Sequence, residues 1–160
     1  MRVRRYWLVK SEPDSFSWDD LWSAPERTTA WEGVRNYQAR NLLRDMMQKG
    51  DLVFFYHSSA VPPAIIGVAE VMRAGYPDPT AFDRKSEQFD PKSDPASPVW
   101  YAVDIKARRA FRRPITLSEL RLLPELQRMV LLQKGSRLSV QPVSPDEWEV
   151  IYALGTREVD

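Results

Sequence analysis

The residues best suited to chemistry form one run, Trp31-Glu32-Gly33-Val34-Arg35-Asn36-Tyr37-Gln38-Ala39-Arg40-Asn41. An indole offers a flat face for stacking, a glycine lets the main chain approach a ligand, and guanidinium and amide groups read hydrogen-bonding edges. This mixture suits a planar polar ligand such as a nucleobase. Two shorter segments have a similar character, Lys10-Ser11-Glu12-Pro13 and Phe55-Tyr56-His57-Ser58. Together the three segments predict a ligand pocket.

The central candidates each have a ligand-binding and a structural interpretation. Trp31 is the predicted stacking platform, and the alternative is a core tryptophan in a chain that has six. Arg35 and Asn36 either read a base edge or hold a phosphate; alternatively, Asn36 caps a helix and Arg35 joins a surface ion pair. Strand alternation places Tyr56 and His57 on opposite faces. Either one is expected to line the pocket while the other faces the core.

The remaining candidates lie near the two ends of the chain. Lys10 and Ser11 follow a predicted buried strand, where side chains at a barrel mouth often meet ligands; the alternative is an exposed lysine and a turn serine. A later segment either closes the pocket or packs as an ordinary strand. The full set of predicted ligand contacts is Lys10, Ser11, Trp31, Gly33, Val34, Arg35, Asn36, Tyr56, His57, Ser136, Leu138 and Ser139.

Charge is unevenly distributed along a chain whose net charge is only +1. The segment 106–137 contains nine Lys or Arg and two Asp or Glu, an excess of seven positive charges, whereas 51–105 contains four against eight. The basic segment forms one positive face, or its arginines pair with the acidic segments. Under the first interpretation, the residues expected to contact nucleic-acid phosphates are Arg108, Arg109, Arg112 and Arg113.

The composition excludes several kinds of functional site. The 160 residues are 43% hydrophobic and 28% charged, as in a soluble globular protein. Without cysteine there is no disulfide or thiolate site, and a single histidine, His57, excludes a multi-histidine metal site within the chain. We therefore expect no metal and no cofactor. A membrane span and a signal peptide are not expected, since no long apolar stretch is present.

The pattern of elements predicts an α+β fold rather than a doubly wound sheet. Gly67 is expected at a bulge or a sharp barrel bend, Gly155 at a helix end, and Tyr37 and Met46 on the inner face of their helix. A loop is expected over 24–29 and an irregular excursion over 76–98. The predicted strands are 6–10, 51–57, 64–71, 99–107 and 136–143, and the predicted helices 15–22, 36–47, a stretch from 115, and 144–155.

Several motifs in a fixed order resemble the EVE-domain family over about 6–154. They are Lys10-Ser11-Glu12-Pro13, Trp31-Glu32-Gly33-Val34-Arg35-Asn36, Phe55-Tyr56-His57-Ser58, Ile66-Gly67-Val68-Ala69-Glu70-Val71, Tyr76-Pro77-Asp78 and Ser136-Arg137-Leu138-Ser139-Val140-Gln141-Pro142-Val143. The resemblance implies one PUA-like domain over 1–160, a small mixed β-barrel of about five to six strands flanked by helices. It also implies binding of DNA or RNA that carries a modified base, such as a modified cytosine. Glu32 stands where many relatives have Asp, which leaves the ligand open.

The leading hypothesis is thus a nucleic-acid-binding module with a modified base in an aromatic pocket. One alternative is a nucleotide-processing enzyme that uses His57, although no nucleophile motif, P-loop or dinucleotide fingerprint supports it. Another is a protein-interaction module that uses the proline-rich excursion. We further expect a cytoplasmic monomer with protein partners acting in trans.

Overall fold

The computed structural model describes residues 3–158, which form one six-stranded mixed sheet with helices on both sides. The predicted α+β class is confirmed. The strand order is β2-β5-β4-β3-β1-β6, and the sheet is not closed: β2 and β6 are its two edges. The strands are β1 Tyr6–Ser11, β2 Thr28–Trp31, β3 Leu52–His57, β4 Ala64–Pro77, β5 Tyr101–Thr116 and β6 Val140–Val143, and the helices are α1 Trp18–Ser23, α2 Tyr37–Asn41, α3 Leu117–Arg121 and α4 Pro145–Thr156.

The pairing of β1 with β3 is parallel, and all other strand pairs are antiparallel. The long β4–β5 ladder is irregular near Gly67, as its sequence predicted. A Cβ on Gly67 would lie 2.7 Å from the Trp18 indole and 2.8 Å from the Arg109 carbonyl oxygen. Glycine is therefore needed here because α1 and the neighbouring strand both approach the main chain closely.

Two hydrophobic clusters form the core. The first contains Trp18, Phe55 and Val103, with Trp31 packed against it. The second contains Phe54 and Trp148, whose rings stack with centroids 3.8 Å apart. Because Phe54 and Phe55 are neighbours on β3 and belong to different clusters, the sheet buries apolar side chains on both faces.

Side-chain caps begin all four helices; at α3 the Thr116 hydroxyl accepts from the Glu119 amide at 3.2 Å. Ser17 and Ser144 form capping boxes with Asp20 and Glu147, and the Asn36 side chain accepts from the Ala39 amide at 3.0 Å. These local hydrogen bonds satisfy amides that have no partner inside the helix. They explain why two of these helix starts were already visible in the sequence.

Several elements differ from the sequence-based expectation. Strand β2 occupies part of the predicted loop 24–29, and β5 continues to Thr116 instead of ending near 107. The predicted helix 36–47 is an α-helical turn followed by a π-helical turn over Leu42–Met46. Tyr37, at the first position of α2, is 62% exposed and Met46 is 38% exposed, so their predicted inward placement is wrong.

Gly155 does not end its helix. It lies inside α4, where a Cβ would come within 2.3 Å of the Phe111 ring. Gly155 allows α4 to pack closely against β5. The sequence alone predicts a helix end here, because glycine is typical both of helix ends and of close packing.

Candidate functional site

A cavity of about 420 Å³ opens beside Trp31, within the usual volume range for small-ligand sites. It lies at the β2 edge of the sheet. Its walls come from three parts of the chain: the end of β1 with the segment before α1, the strand β2, and the segment that follows β4. The lining residues are Ser11, Ser15, Phe16, Thr29, Ala30, Trp31, Glu32 and Gln88.

Aromatic rings define one side of this cavity. Trp31 is half-buried, and its ring meets the buried Phe55 ring edge-on, with centroids 5.8 Å apart and planes at 81°. Phe16 also packs against Phe55, at 6.5 Å. Trp31 therefore contacts the core and lines the cavity at the same time, so the two interpretations of this residue are compatible.

The carboxylate of Asp78 organises the main chain next to Trp31. It is fully buried and accepts hydrogen bonds from the Gly33 amide at 2.8 Å, from Arg35 Nη1 at 3.0 Å, and from the Thr80 amide and hydroxyl at 2.8 and 2.6 Å. Burial opposes ionisation of Asp78, but the hydrogen bonds from Thr80, Gly33 and Arg35 outweigh it and lower the pKa. The ionised carboxylate thus joins the 31–36 motif to the segment after β4.

This joined segment brings Gln88 to the cavity. Arg35 Nη2 donates to the Gln88 carbonyl oxygen at 2.6 Å and to the Thr80 hydroxyl at 3.2 Å. Gly33 has φ of +80°, and a Cβ there would lie 2.8 Å from Gln88 Cγ. Gly33 is therefore required both by its main-chain conformation and by the close approach of Gln88.

His57 holds the start of α1, the helix that follows the Ser15 and Phe16 part of the cavity wall. Its Nε2 accepts a hydrogen bond from the Trp18 amide, in the first turn of α1, at 3.0 Å. Burial lowers the pKa of His57, although the charge of Asp19 opposes this effect. The neutral imidazole is the form that can accept this bond. The nitrogen that a catalytic base would use is thus engaged by α1.

The other predicted ligand residues are distributed around the fold. Ser11 lines the cavity, and its hydroxyl donates to the Phe16 carbonyl oxygen. Val34 is buried in the first cluster and Asn36 caps α2. Tyr56 is 4% exposed and belongs to the second cluster. None of these last three residues lines the cavity.

A separate group of predicted residues lies around Lys10. The Lys10 amide donates to the Ser139 carbonyl oxygen at 2.9 Å, and its ammonium donates to the Ser136 carbonyl oxygen at 3.5 Å. Burial lowers the pKa of Lys10. Leu138 packs against the first cluster. The structure brings these four residues together with one another but does not place them in the lining of the cavity.

The four candidate phosphate-binding arginines all lie on β5, in two kinds of environment. Arg108 pairs with Glu70 at 3.0 Å, and Arg113 makes two hydrogen bonds to Glu119 at 2.6 and 2.8 Å. Arg109 donates to the Tyr152 hydroxyl at 3.2 Å. Within residues 3–158, Arg112 is exposed and makes no hydrogen bond or ion pair. The basic segment therefore combines paired and unpaired cations.

Sequence reasoning missed most of the cavity wall. The sequence pattern places Phe16 in a helix, and it places Thr29 in a loop because β2 is short and follows Pro25. Gln88 lies more than fifty positions from Trp31. The one local signal was Tyr76-Pro77-Asp78, which contains the buried carboxylate but does not show its partners.

In residues 3–158, no cluster of three His, Cys, Asp or Glu side chains is arranged to hold a metal ion. The helices of the same part of the chain are all too short or too polar to cross a membrane.

Known proteins closely match both the sequence and the fold. A family model described as EVE domain matches residues 5–154. Human thymocyte nuclear protein 1 is 39% identical over 170 residues, which are 96% of this chain and 75% of that protein. A crystal structure of a protein from Pseudomonas putida is 49% identical with a TM-score of 0.88, covering 93% of this chain and 98% of that chain.

A further crystal structure contains the human THYN1 protein in complex with DNA that carries 5-methylcytosine. It is 38% identical to this chain with a TM-score of 0.88, and the match covers 97% of this chain and 99% of that one. The family model and these relatives agree along nearly the whole sequence. This chain belongs to the EVE-domain family.

Proposed function

We propose that this protein binds DNA carrying a modified cytosine and holds the modified base in the cavity beside Trp31. The observation that carries the proposal is the match to the human THYN1 structure with 5-methylcytosine-containing DNA, which extends over 97% of this chain. The cavity adds independent support, because an aromatic wall and nearby hydrogen-bonding groups suit a planar base.

A base inside a duplex cannot reach such a cavity, so the proposal requires an extruded or single-stranded base. Extrusion costs a few kcal/mol. Stacking on an aromatic side chain contributes about 1–3 kcal/mol per base, which offsets much of that cost. Trp31 supplies this stacking surface, and its contact with Phe55 holds the ring in place.

The other residues of the motif act mainly by position. Gly33 and Arg35 are held by the buried Asp78 carboxylate, and Arg35 in turn holds the Gln88 carbonyl oxygen. Ser11 contributes to the wall through its bond to the Phe16 carbonyl. Tyr56 lies outside the lining and packs in the second cluster, on the other face of the sheet from Trp31.

Arginines of β5 supply contacts to other phosphates of the same nucleic acid. Arg112, which is exposed and has no partner in residues 3–158, has its full charge available for such a contact. Each such cation adds to the salt dependence of binding. RNA that carries the same modification is included as a second nucleic acid in the experiment below.

The experiment compares wild type with Trp31→Ala on matched DNA and RNA oligonucleotides at a stated salt concentration. The oligonucleotides carry cytosine, 5-methylcytosine, 5-hydroxymethylcytosine, adenine or N6-methyladenine at one position. We expect the wild type to prefer a modified cytosine, and Trp31→Ala to bind it about 5- to 150-fold more weakly, the equivalent of one stacking contact.

Trp22→Ala is the matched control. Trp22 is also half-buried against the first cluster, but it does not line the cavity. A control that keeps wild-type affinity separates loss of the stacking surface from general damage to the core. Equal binding by wild type and Trp31→Ala to every oligonucleotide would contradict the proposal.

A further inference from the structure

The cavity has one unusual wall: Thr29, Ala30, Trp31 and Glu32 all line it. Side chains of an extended chain alternate between two faces. Three of these residues belong to β2 and Glu32 follows it directly, so consecutive residues here reach the same cavity only if the chain turns its main-chain edge towards it. Strand β2 is an edge strand, paired with β5 on one side only.

The free edge of β2 has unused hydrogen-bonding groups. In residues 3–158, no main-chain or side-chain hydrogen bond outside the β2–β5 ladder involves the amides or carbonyls of Thr29–Glu32. The unpaired edge of a strand presents N–H and C=O groups in a row, as a template for pairing. Along β2 such groups alternate with those that bond β5, and the ones on the free edge have the cavity beside them instead of another strand.

We propose that the free edge of β2 reads the Watson–Crick edge of the bound base through the main chain. A carbonyl oxygen accepts from the 4-amino group of a cytosine, and an amide N–H donates to its ring N3. This inference rests on the proposed function, because it names how the same cavity selects its base.

Selection against thymine is what makes such a contact necessary. Thymine carries the same ring methyl group as 5-methylcytosine, so stacking and methyl contact treat the two bases nearly alike. They differ at position 4, where cytosine donates from an amino group and thymine accepts at a carbonyl. Thymine would place its carbonyl against a β2 carbonyl and its N3–H against an amide, which leaves desolvated groups unpaired.

The side chains of the wall are less suited to this task. The Ser11 hydroxyl is already bonded to the Phe16 carbonyl oxygen. Glu32 alternates with Trp31, which packs on the first cluster, so its carboxyl leaves the strand on the other face. Burial raises the pKa of Glu32, the charges of Asp78 and Asp104 raise it further, and the charge of Arg35 opposes the shift. Asp104 lies opposite Ala30 in the ladder, on the face to which the Glu32 side chain is expected to point.

The first experiment uses wild-type protein and single-stranded DNA with 5-methylcytosine, thymine or 5-methyl-2-pyrimidinone at one position. The last base keeps the methyl group and lacks the 4-amino group. We expect both to bind about 5- to 150-fold more weakly than 5-methylcytosine, as for loss of a bidentate base contact. Equal affinity for thymine would overturn the inference.

The second experiment separates main chain from side chains. The variants Ser11→Ala, Ser15→Ala, Thr29→Val, Glu32→Gln and Gln88→Ala are expected to keep the ratio between 5-methylcytosine and thymine. Replacing each amide of Thr29–Glu32 in turn by an ester, through incorporation of the hydroxy acid, removes one N–H and keeps the side chain. At least one ester is expected to lower the ratio towards one.

Two outcomes would overturn the main-chain assignment: loss of the ratio in one side-chain variant, or an unchanged ratio in all four esters. Failure of the proposed function looks different. In that case wild type does not prefer 5-methylcytosine over cytosine, and Trp31→Ala binds as wild type does.

Discussion

Removal of the Asp78 carboxylate tests how the site is held together. Asp78 is fully buried and accepts four hydrogen bonds, from Gly33, Arg35 and twice from Thr80. Hydrogen bonds to a charged group contribute about 1.5–3 kcal/mol each, so their simple sum is an upper bound. The expected loss is smaller because some donors find other partners.

The structure shows which donors those are. After Asp78→Ala, the Arg35 guanidinium keeps its bonds to the Thr80 hydroxyl and the Gln88 carbonyl, and its side chain is already 25% exposed. The Gly33 amide loses its partner, which costs about 1–3 kcal/mol for a buried donor. We expect a total loss of about 2–4 kcal/mol; for a chain of this size, 3 kcal/mol lowers Tm by about 6–12 °C.

Urea unfolding at pH 7, followed by tryptophan fluorescence, measures this loss. Glu87→Ala is the control, because Glu87 lies in the same segment, is exposed, and its side chain makes no hydrogen bond or ion pair within residues 3–158; its loss should stay within about 0.5 kcal/mol. In a double-mutant cycle with Arg35→Ala, direct contact predicts a coupling of about 0.5–3 kcal/mol. A loss below about 1 kcal/mol for Asp78→Ala, or additive effects with Arg35→Ala, would refute the reasoning.

The pH dependence follows from the lowered pKa of Asp78. The stabilisation is complete above the unfolded-state pKa of about 3.9 and is lost as the pH falls through the lower folded-state value. The stability difference between wild type and Asp78→Ala should therefore shrink below about pH 4. Asp78 does not line the cavity, but it positions Gly33 and, through Arg35, Gln88. The Asp78→Ala variant should therefore also bind modified DNA more weakly.

Two further predictions concern packing and protonation. Gly155→Ala should lower Tm although alanine favours helix by about 1 kcal/mol, because its Cβ would come within 2.3 Å of the Phe111 ring; a stabilised variant would contradict this packing. Wild type should lose stability as the pH falls below about 6.5, since protonation of His57 removes the acceptor for the Trp18 amide. His57→Gln should flatten that part of the stability profile, measured by urea unfolding from pH 5 to 8, and an equal slope in both proteins would show that another group titrates.

The proposed reader differs from a surface that binds nucleic acid by charge alone. The net charge of this chain is only +1, and two of the four candidate arginines on β5 form ion pairs with glutamates. Such a protein depends on contacts to the base for affinity and selectivity, whereas phosphate contacts mainly fix position. The cavity beside Trp31 is therefore the part of the molecule on which binding is expected to depend most.

Local patterns in the sequence predicted much of the fold. The apolar runs of β1 and β3, the Ser144 capping box and the irregularity at Gly67 were all visible, because each depends on neighbours within a few positions. The ordered motifs likewise identified the family. Trp31 was recognised as the central candidate from its own neighbourhood, and it does line the cavity.

Contacts between distant segments decided the rest. The bond between Arg35 and Asp78 joins positions 43 residues apart, and Arg35 also bonds the Gln88 carbonyl oxygen, whose side chain lies against Gly33. The two sheet faces also separated Tyr56 from Trp31, although both belong to motifs with similar composition. The sequence determined the local elements, because short-range hydrogen bonds and side-chain periodicity form them. Only the tertiary structure decided the site, because strand order and the Asp78–Arg35 ion pair bring distant residues to one edge of the sheet.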